Sequence, residues 1–456
     1  MRERWGKSEL FKGDMMVFQN EGLDSSLGQK NVNVGSPAKN VLRNRNFLLL
    51  WLGQCTSLIG DQFTMIALPW LVLLVTGDPL ALGLVLAFEG VPRAVFMLFG
   101  GAVTDRFSQR TVMLISDILR FLLVAMLAAM VLTGSIQMWM LYAISLAFGI
   151  VSGFFLPASG SMVPRIVKSE ELMVGNSIIQ GTAQISVFIG PLLAGGLIAL
   201  FANSSMALGG NSAAMVGVGA AFAFDALTYL ISIVSLWLMK VSVPQASATG
   251  MTEILSSIRE GINFVIGTPK ILYMFLILSA VNFLFVGPFL VGIPTIANSR
   301  LIEGAAAFGI IMSAHGLGNL IGLIGSGVIK IKPQNIGLIA SGVICVFGIG
   351  LAITGFMTST WVCSGIVFVL GMFNGYLGIV IITMLQKNTP PDMMGRLMSL
   401  TIFASTGLVP ISQALSGVLI KISLEGLFVT CGVLIFLTGV IAALSKEVKN
   451  FGLELQ

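Results

Sequence analysis

The chain is poor in charge. Of its 456 residues 10% are Asp, Glu, Lys or Arg and 56% are hydrophobic, against roughly 25% charged residues in a soluble domain. Too few polar groups exist to clothe a water-soluble globule, so that class is excluded. Histidine is nearly missing: His315 stands alone, and no HExxH zinc motif can be written with it. The run Gly6, Lys7, Ser8 lacks the upstream glycine of GxxxxGK(S/T), so ATP is not expected to drive the protein by a P-loop. No GxSxG nucleophile elbow occurs. The four cysteines, Cys55, Cys345, Cys363 and Cys431, fall in separate apolar runs without ligand spacing. They read as small packing residues, and no metal site is expected. With no nucleophile, metal or cofactor set, an enzyme is not expected either.

What the chain has in quantity is apolar length. Twelve runs are long enough to cross hydrocarbon as helices, near 47–75, 80–103, 111–133, 136–157, 176–202, 214–239, 271–297, 305–329, 335–357, 360–385, 396–420 and 424–444. They predict an all-α membrane protein of 12 transmembrane helices in two six-helix halves. The expected units are a polar, disordered cytoplasmic tail at 1–45, an N-terminal bundle at 46–240, a linker at 241–270, a C-terminal bundle at 271–445 and a tail at 446–456. The first tail has no apolar core of signal-peptide length, so no cleavage is expected. In the linker, Met251, Ile254, Leu255, Ile258, Ile262 and Val265 recur at helical spacing, which suggests an amphipathic helix on the cytoplasmic face. With both termini inside, inner loops collect cations such as Arg106, Arg165, Lys240, Lys330 and Arg396, while outer loops hold only Arg300 and Lys421. The net charge of +5 then records topology and requires no nucleic-acid partner.

Against this background the charges inside the runs stand out. Asp61, in "SLIGDQFTMIALPW", is the central residue of the first run. A charge at bilayer depth costs at least about 2.5 to 3.5 kcal/mol, so it is kept where it faces protein, water or a partner. Glu89 lies midway along the second run and Asp225 near the middle of the sixth, which sets three carboxyls at the depth where membrane carriers build their sites. Glu89 and Arg93 are four apart and can pair, leaving Glu89 ionised and structural. Asp61 and Asp225 have no cation within a helical turn, and such a carboxyl can take up and release a proton. Asp61 is the first candidate carrier. Asp225, ahead of "ALTYL", could equally brace a helix contact or bond a neighbouring serine, and Glu89 is the alternative if Arg93 points elsewhere. Sodium could use the same carboxylates. Asp117 and Arg120 read as an ion pair near the cytoplasmic end of the third span. Gln54, Asn282, Asn319 and Asn374 could line a polar cavity, with His315 either a proton relay or a hydrogen-bonded helix contact. The 30 Phe and 24 Met suit adaptable binding of bulky ligands, though lipid-facing packing explains them equally.

"GGAVTDRFSQR", between spans two and three, resembles the GxLADRxGRK signature of the major facilitator superfamily. "LGQCTSLIGDQ", "VPR" at Val91, "DILR" at Asp117, "FFLPASGSMVPRIV" at Phe154, "FDALTYL" at Phe224 and "GRLMSL" at Gly395 are similar to its drug:proton antiporter branch, which includes macrolide and enterobactin exporters. The likeness runs from Asn46 through nearly the whole chain. The halves also echo each other, "GSGVIKIKPQN" answering the signature and Pro410 in span eleven answering Pro191 in span five. The resemblance implies a signature-loop gate of Gly101, Asp105, Arg106 and Arg110, with Asp105 meeting the positive amino-terminal end of span eleven at Gly395 and Arg396. Ser108 and Gln109 depart from the family's glycine and basic residue. "SVFIGPLLAGGLI" resembles the GPxxGG antiporter element, with Gly190, Pro191, Gly195 and Gly196. A multi-pass exporter of the cell membrane is implied, both termini cytoplasmic and the protein monomeric. It would need no cofactor, drawing on the proton gradient to exchange protons for a hydrophobic or amphipathic, drug- or macrolide-like small molecule. Lipid or siderophore export by the same fold, or a non-transporting membrane sensor, are the alternatives.

Overall fold

The computed structural model describes residues 37–204, 210–240, 259–260, 262–328, 336–387, 389–390 and 393–445. Hydrocarbon offers backbone N–H and C=O groups no water, so each apolar run closes its hydrogen bonds within itself as a helix. A short α1 (Pro37–Arg43) precedes α2 (Arg45–Thr76), α3 (Pro79–Arg106), α4 (Gln109–Leu132) and α5 (Met138–Gly160). A single turn, α6 (Val163–Ile166), leads into α7 (Leu172–Ser204) and α8 (Gly210–Leu238). The second half runs through α9 (Pro269–Gly287), a π-helical turn Pro288–Gly292, α10 (Ile293–Arg300), α11 (Ala305–Val328), α12 (Ile336–Thr354), α13 (Thr360–Lys387), α14 (Met394–Thr406), α15 (Val409–Ile422) and α16 (Leu424–Leu444). Among the described residues 11 helices are long and apolar enough to cross a membrane.

The local sequence accounts for the ends. Asn44 caps α2 by accepting from the N–H groups of Asn46 (3.0 Å) and Phe47 (3.3 Å). Gly77, at φ 62°, closes its other end in the left-handed conformation. Asp78 then caps α3 with Pro79 in its first turn. Trp139, Trp237 and Trp361, all exposed near helix ends, fit the aromatic belts of the two membrane interfaces.

One expectation changes. The run at 396–420 is two helices, α14 and α15, broken at 407–408. Pro410 has no N–H to give the carbonyl of Thr406 and crowds the residue before it, and Gly407 does not favour helix. Pro191, its echo in sequence, sits inside a continuous α7. Of the linker helix, only Ile262 and Val265 are described, in a helical stretch 262–267. Val265 is buried in a cluster with Ile271, Leu385 and Leu397, so this piece packs on protein. The other four linker positions and most of "GSGVIKIKPQN" lie outside the described residues.

Packing sorts the helices into two sets. Helix α2 lies on α7 and α8, α3 on α5, and α4 on α5 and α8; in the second set α11 lies on α13, α12 on α16, and α9 on α15 and α16. Two broad contacts join the sets, α7 with α11 and α3 with α15. Both depend on glycine. A methyl group at Gly195 would stand 2.7 Å from the Ala305 carbonyl oxygen, and one at Gly83 would stand 3.2 Å from Gly417 Cα. These close approaches gather toward the end of the molecule that carries the Gly77–Asp78 turn. There Lys421 Nζ also lies 2.9 Å from Asp78 Oδ2 across the halves, and Trp70 packs beneath the tight turn at Gly304, whose φ is 54°.

Candidate functional site

Beneath that seal, between the halves, lies a cavity of about 620 Å³, within the range of pockets that take drug-sized ligands. Its walls are unequal. From the first half come Asp61, Glu89, Arg93 and Arg120, with Gln54, Gln62 and Thr64; the second half contributes Leu290, Phe308, Met312, Pro410, Thr406 and Gln413. Every charged wall residue therefore belongs to the first half.

Helix α8 explains how those charges are held. Asp225, Tyr229 and Ser232 follow one another at i, i+4 and i+7, one face of a helix. The hydroxyls of Thr64 and Thr228 donate to the Asp225 carboxylate, which is wholly buried. The Tyr229 hydroxyl donates to Asp61 Oδ1. Ser232 Oγ donates to Asp117 Oδ2 at 2.6 Å, and Arg120 donates to Asp117 Oδ1. Glycines on α2 make room for this face: a methyl group at Gly60 would collide with Thr228 and Asp225, and one at Gly53 would stand 3.1 Å from Ser235 Cβ.

The Asp117–Arg120 pair is almost completely buried, with side chains 0% and 4% exposed. Removing two ions from water costs several kcal/mol each, and only good pairing offsets it. Asp117 accepts from both Arg120 and Ser232, while the guanidinium lies 3.7 Å from the Phe155 ring centroid and 4.8 Å from that of Tyr229, a cation–π contact with each ring. The pair sits near the middle of α4 and Arg120 reaches the cavity wall, which corrects its expected place near the cytoplasmic end. Arg93 donates to Glu89 along α3. Among the described residues, the side-chain hydrogen bonds to Asp61 and Asp225 come from neutral hydroxyls.

The remaining candidates divide. Gln54 lines the cavity and donates to Ser159 Oγ at 2.6 Å. Asn282, His315, Asn319 and Asn374 are not among its walls, a correction. Asn282 bonds back to the Leu278 carbonyl at 2.9 Å, Asn374 is exposed, and Asn319 lies where α11 meets Gly375 of α13. His315 packs against the rings of Phe285 and Phe289, and its Nε2 has no partner among the described residues. In the GPxxGG element, Gly190 faces Gln62 on α2, Gly195 and Pro191 face α11, and Gly196 faces open space. Arg110 donates to the carbonyls of Leu236 (2.7 Å) and Trp237 (2.7 Å), holding the last turn of α8 within its own half. The side chains of Asp105, Arg106 and Arg396, and the surroundings of Gly101 and Gly395, lie outside the described residues.

Tyr229, Thr64, Thr228 and Ser232 escape the sequence reading because hydroxyls are ordinary inside helix bundles. The i, i+4, i+7 polar stripe of "FDALTYLIS" was the available signal.

A helical bundle with a central cavity lined by charged side chains defines a class, and comparison with known proteins agrees. A model of the Major Facilitator Superfamily matches residues 50–413. The chain belongs to that superfamily: it is a multi-pass membrane transporter and not an enzyme. Among its relatives, the multidrug efflux pump Tap of Mycolicibacterium fortuitum is 24% identical over 89% of this chain and 97% of its own length. The enterobactin exporter EntS of Escherichia coli O1:K1 / APEC is 24% identical, covering 77% of this chain and 79% of its own. The MFS-type transporter YfiS of Bacillus subtilis (strain 168) is 25% identical over 90% and 95%. The structure of the nucleoside transporter NupG superposes with a TM-score of 0.68 at 13% identity, covering 87% of this chain and 98% of that one, a likeness of fold alone.

Proposed function

We propose that the protein is a proton-coupled exporter, exchanging protons for a hydrophobic or amphipathic small molecule by alternating access across the cell membrane. With both termini in the cytoplasm, as the distribution of cations favours, the sealed Gly77–Asp78 end faces outward and the cavity is presented to the cytoplasm for loading. The observation that carries the reading is Asp61: it lies on the cavity wall and, among the described residues, its side chain takes its one hydrogen bond from a phenol. A carboxyl so placed can be neutralised by a proton or left charged for a cargo, and the two compete. Efflux relatives such as Tap and EntS support the export direction. The energy source is the proton gradient, no cofactor being required.

The cavity fits an amphipathic cargo best: its polar end would meet the charged wall of the first half and its body would lie on Leu290, Phe308 and Met312. The test is efflux of a fluorescent amphipathic dye from proteoliposomes under an imposed pH gradient. The parent should drive efflux and Asp61→Asn should lose its dependence on the gradient. Full gradient-driven efflux by that variant would remove Asp61 from the role and turn attention to Glu89 or Asp225.

A further inference from the structure

We propose that Tyr229 is a positioning residue of the transport site, holding the Asp61 carboxylate and the Arg120 guanidinium in one fixed relation. The inference rests on the reading of Asp61 as part of that site and adds a residue that no cargo can touch. Tyr229 is 0% exposed. Its hydroxyl donates to Asp61 Oδ1 on α2, and its ring lies 4.8 Å from the guanidinium carbon of Arg120 on α4. Asp61 and Arg120 are both cavity walls. One neutral side chain therefore contacts the acid and the base that a cargo meets.

Its two chemistries are separable. A phenol donating to a carboxylate forms a charge-assisted hydrogen bond and fixes which oxygen remains free for the cavity. The aromatic face attracts the guanidinium, whose edge is turned toward Asp117. Other charged groups face the Asp61–Tyr229 pair from neighbouring helices: Arg93 on α3, Asp117 on α4 and Asp225 on α8. All these helices belong to the first half, so rocking against the second half leaves the arrangement intact. Tyr229 thus differs from a latch, which must break in each cycle. Its work is to keep the Asp61 oxygen in register while the opposite wall moves.

Tyr229→Phe keeps the ring under Arg120 and removes the donor. In the purified full-length protein, modification of Asp61 by dicyclohexylcarbodiimide can be followed by mass spectrometry, with Glu89 as internal reference and Asp61→Asn as blank. Freed of a hydrogen bond to its charged form, Asp61 should be modified at least about threefold faster in Tyr229→Phe, with Glu89 unchanged. The cargo half-saturation concentration should shift in Tyr229→Phe and show no further shift when Tyr229→Phe is added to Asp61→Asn. Equal modification rates, or equal shifts in both backgrounds, would overturn the proposal. Should Tyr229→Phe fail to fold, the bond is tested from its other partner. The chain has four tyrosines, and the difference ultraviolet Raman spectrum between the parent and Asp61→Asn should show one of them exchanging a strong acceptor for a weaker one. Absence of that signal also overturns it. Because carbodiimide reactivity needs no gradient, a transporter driven by another ion would sink the proton reading and leave this one standing.

Discussion

The two halves share an architecture and differ in their interiors. The first holds Asp61, Glu89, Arg93, Asp117, Arg120 and Asp225 within or behind the cavity wall, tied by hydroxyls and by two ion pairs. The central parts of the described helices of the second half carry no charged residue; its charges, such as Arg300, Glu303, Lys421 and Glu425, stand at helix ends. There Arg300 pairs with Glu425, and Thr360 donates to Glu303 at 2.5 Å. The difference teaches a division of labour. A polar site preassembled in one rigid body can be uncovered on alternate sides by an apolar wall, with no buried ion pair having to break during rocking.

The largest effect should come from splitting the deepest pair. Asp117→Asn leaves the Arg120 guanidinium buried without its counter-ion, and breaking such a pair costs about 3 to 5 kcal/mol. The thermal unfolding midpoint of the detergent-solubilised protein should fall by many degrees. A midpoint unchanged within error would mean that water already reaches Arg120 and that the first half is less dry than described. Asp225→Asn should cost less. An amide oxygen still accepts from Thr64 or Thr228, but its NH2 faces a hydroxyl that must turn, so about 1 kcal/mol is expected. A loss as large as that of Asp117→Asn would show that Asp225 is held as an ion by a group other than its hydroxyl partners.

The second half should respond in the opposite manner. Among the described residues, His315 Nε2 has no partner amid Phe285 and Phe289. Replacing it by Phe removes a buried polar atom with no described partner but adds roughly a methylene group or more of volume. Because the gain and the overpacking oppose, stability should stay within about 1 kcal/mol of the parent, on either side. Loss of several kcal/mol in His315→Phe would give the second half a polar site of its own and break the contrast.

How far sequence reveals this contrast follows from what each residue costs. A charge in an apolar run is expensive, so Asp61, Glu89, Arg93, Asp117, Arg120 and Asp225 announce themselves, and hydropathy locates nearly all the spans. A hydroxyl in a helix costs little, since Thr228, for one, bonds its own backbone at the Asp225 carbonyl (2.7 Å), so only the polar stripe of α8 hints at Tyr229, and nothing in a single chain marks Thr64 as a partner. Depth is also hard to read: Arg120 looked peripheral when measured from a charged loop, yet α4 begins at Gln109 and puts it near mid-helix. The prolines make the same point. Pro191 and Pro410 match in sequence, and only packing decides that one is absorbed and the other starts a new helix.

The smallest expected effect concerns the one ion pair that joins the halves among the described residues, Asp78 with Lys421. Burial alone would push Asp78 up, but hydrogen bonds from Lys421 and from the Leu80 N–H, with the ammonium charge, hold its carboxyl below the ordinary aspartate range. A carboxyl lowered in the folded state contributes its stability above the unfolded value of about 3.9 and loses it as pH falls through the folded value. At neutral pH the pair is therefore fully formed. Its side chains are 33% and 48% exposed, so salt screens it and it is worth at most about 1 kcal/mol. Asp78→Asn removes the charge and keeps a good helix cap. Because the pair exists only while this end is closed, the loss falls on that state alone, and the closed-to-open ratio should drop by up to about fivefold at low salt. Spin labels at Thr76 and Ile422 would read the ratio as a distance distribution. The shift should fade at high salt; if it is absent at low salt, the glycine contacts of α3 with α15 and of α7 with α11 hold the end closed unaided, and the halves meet through apolar packing alone.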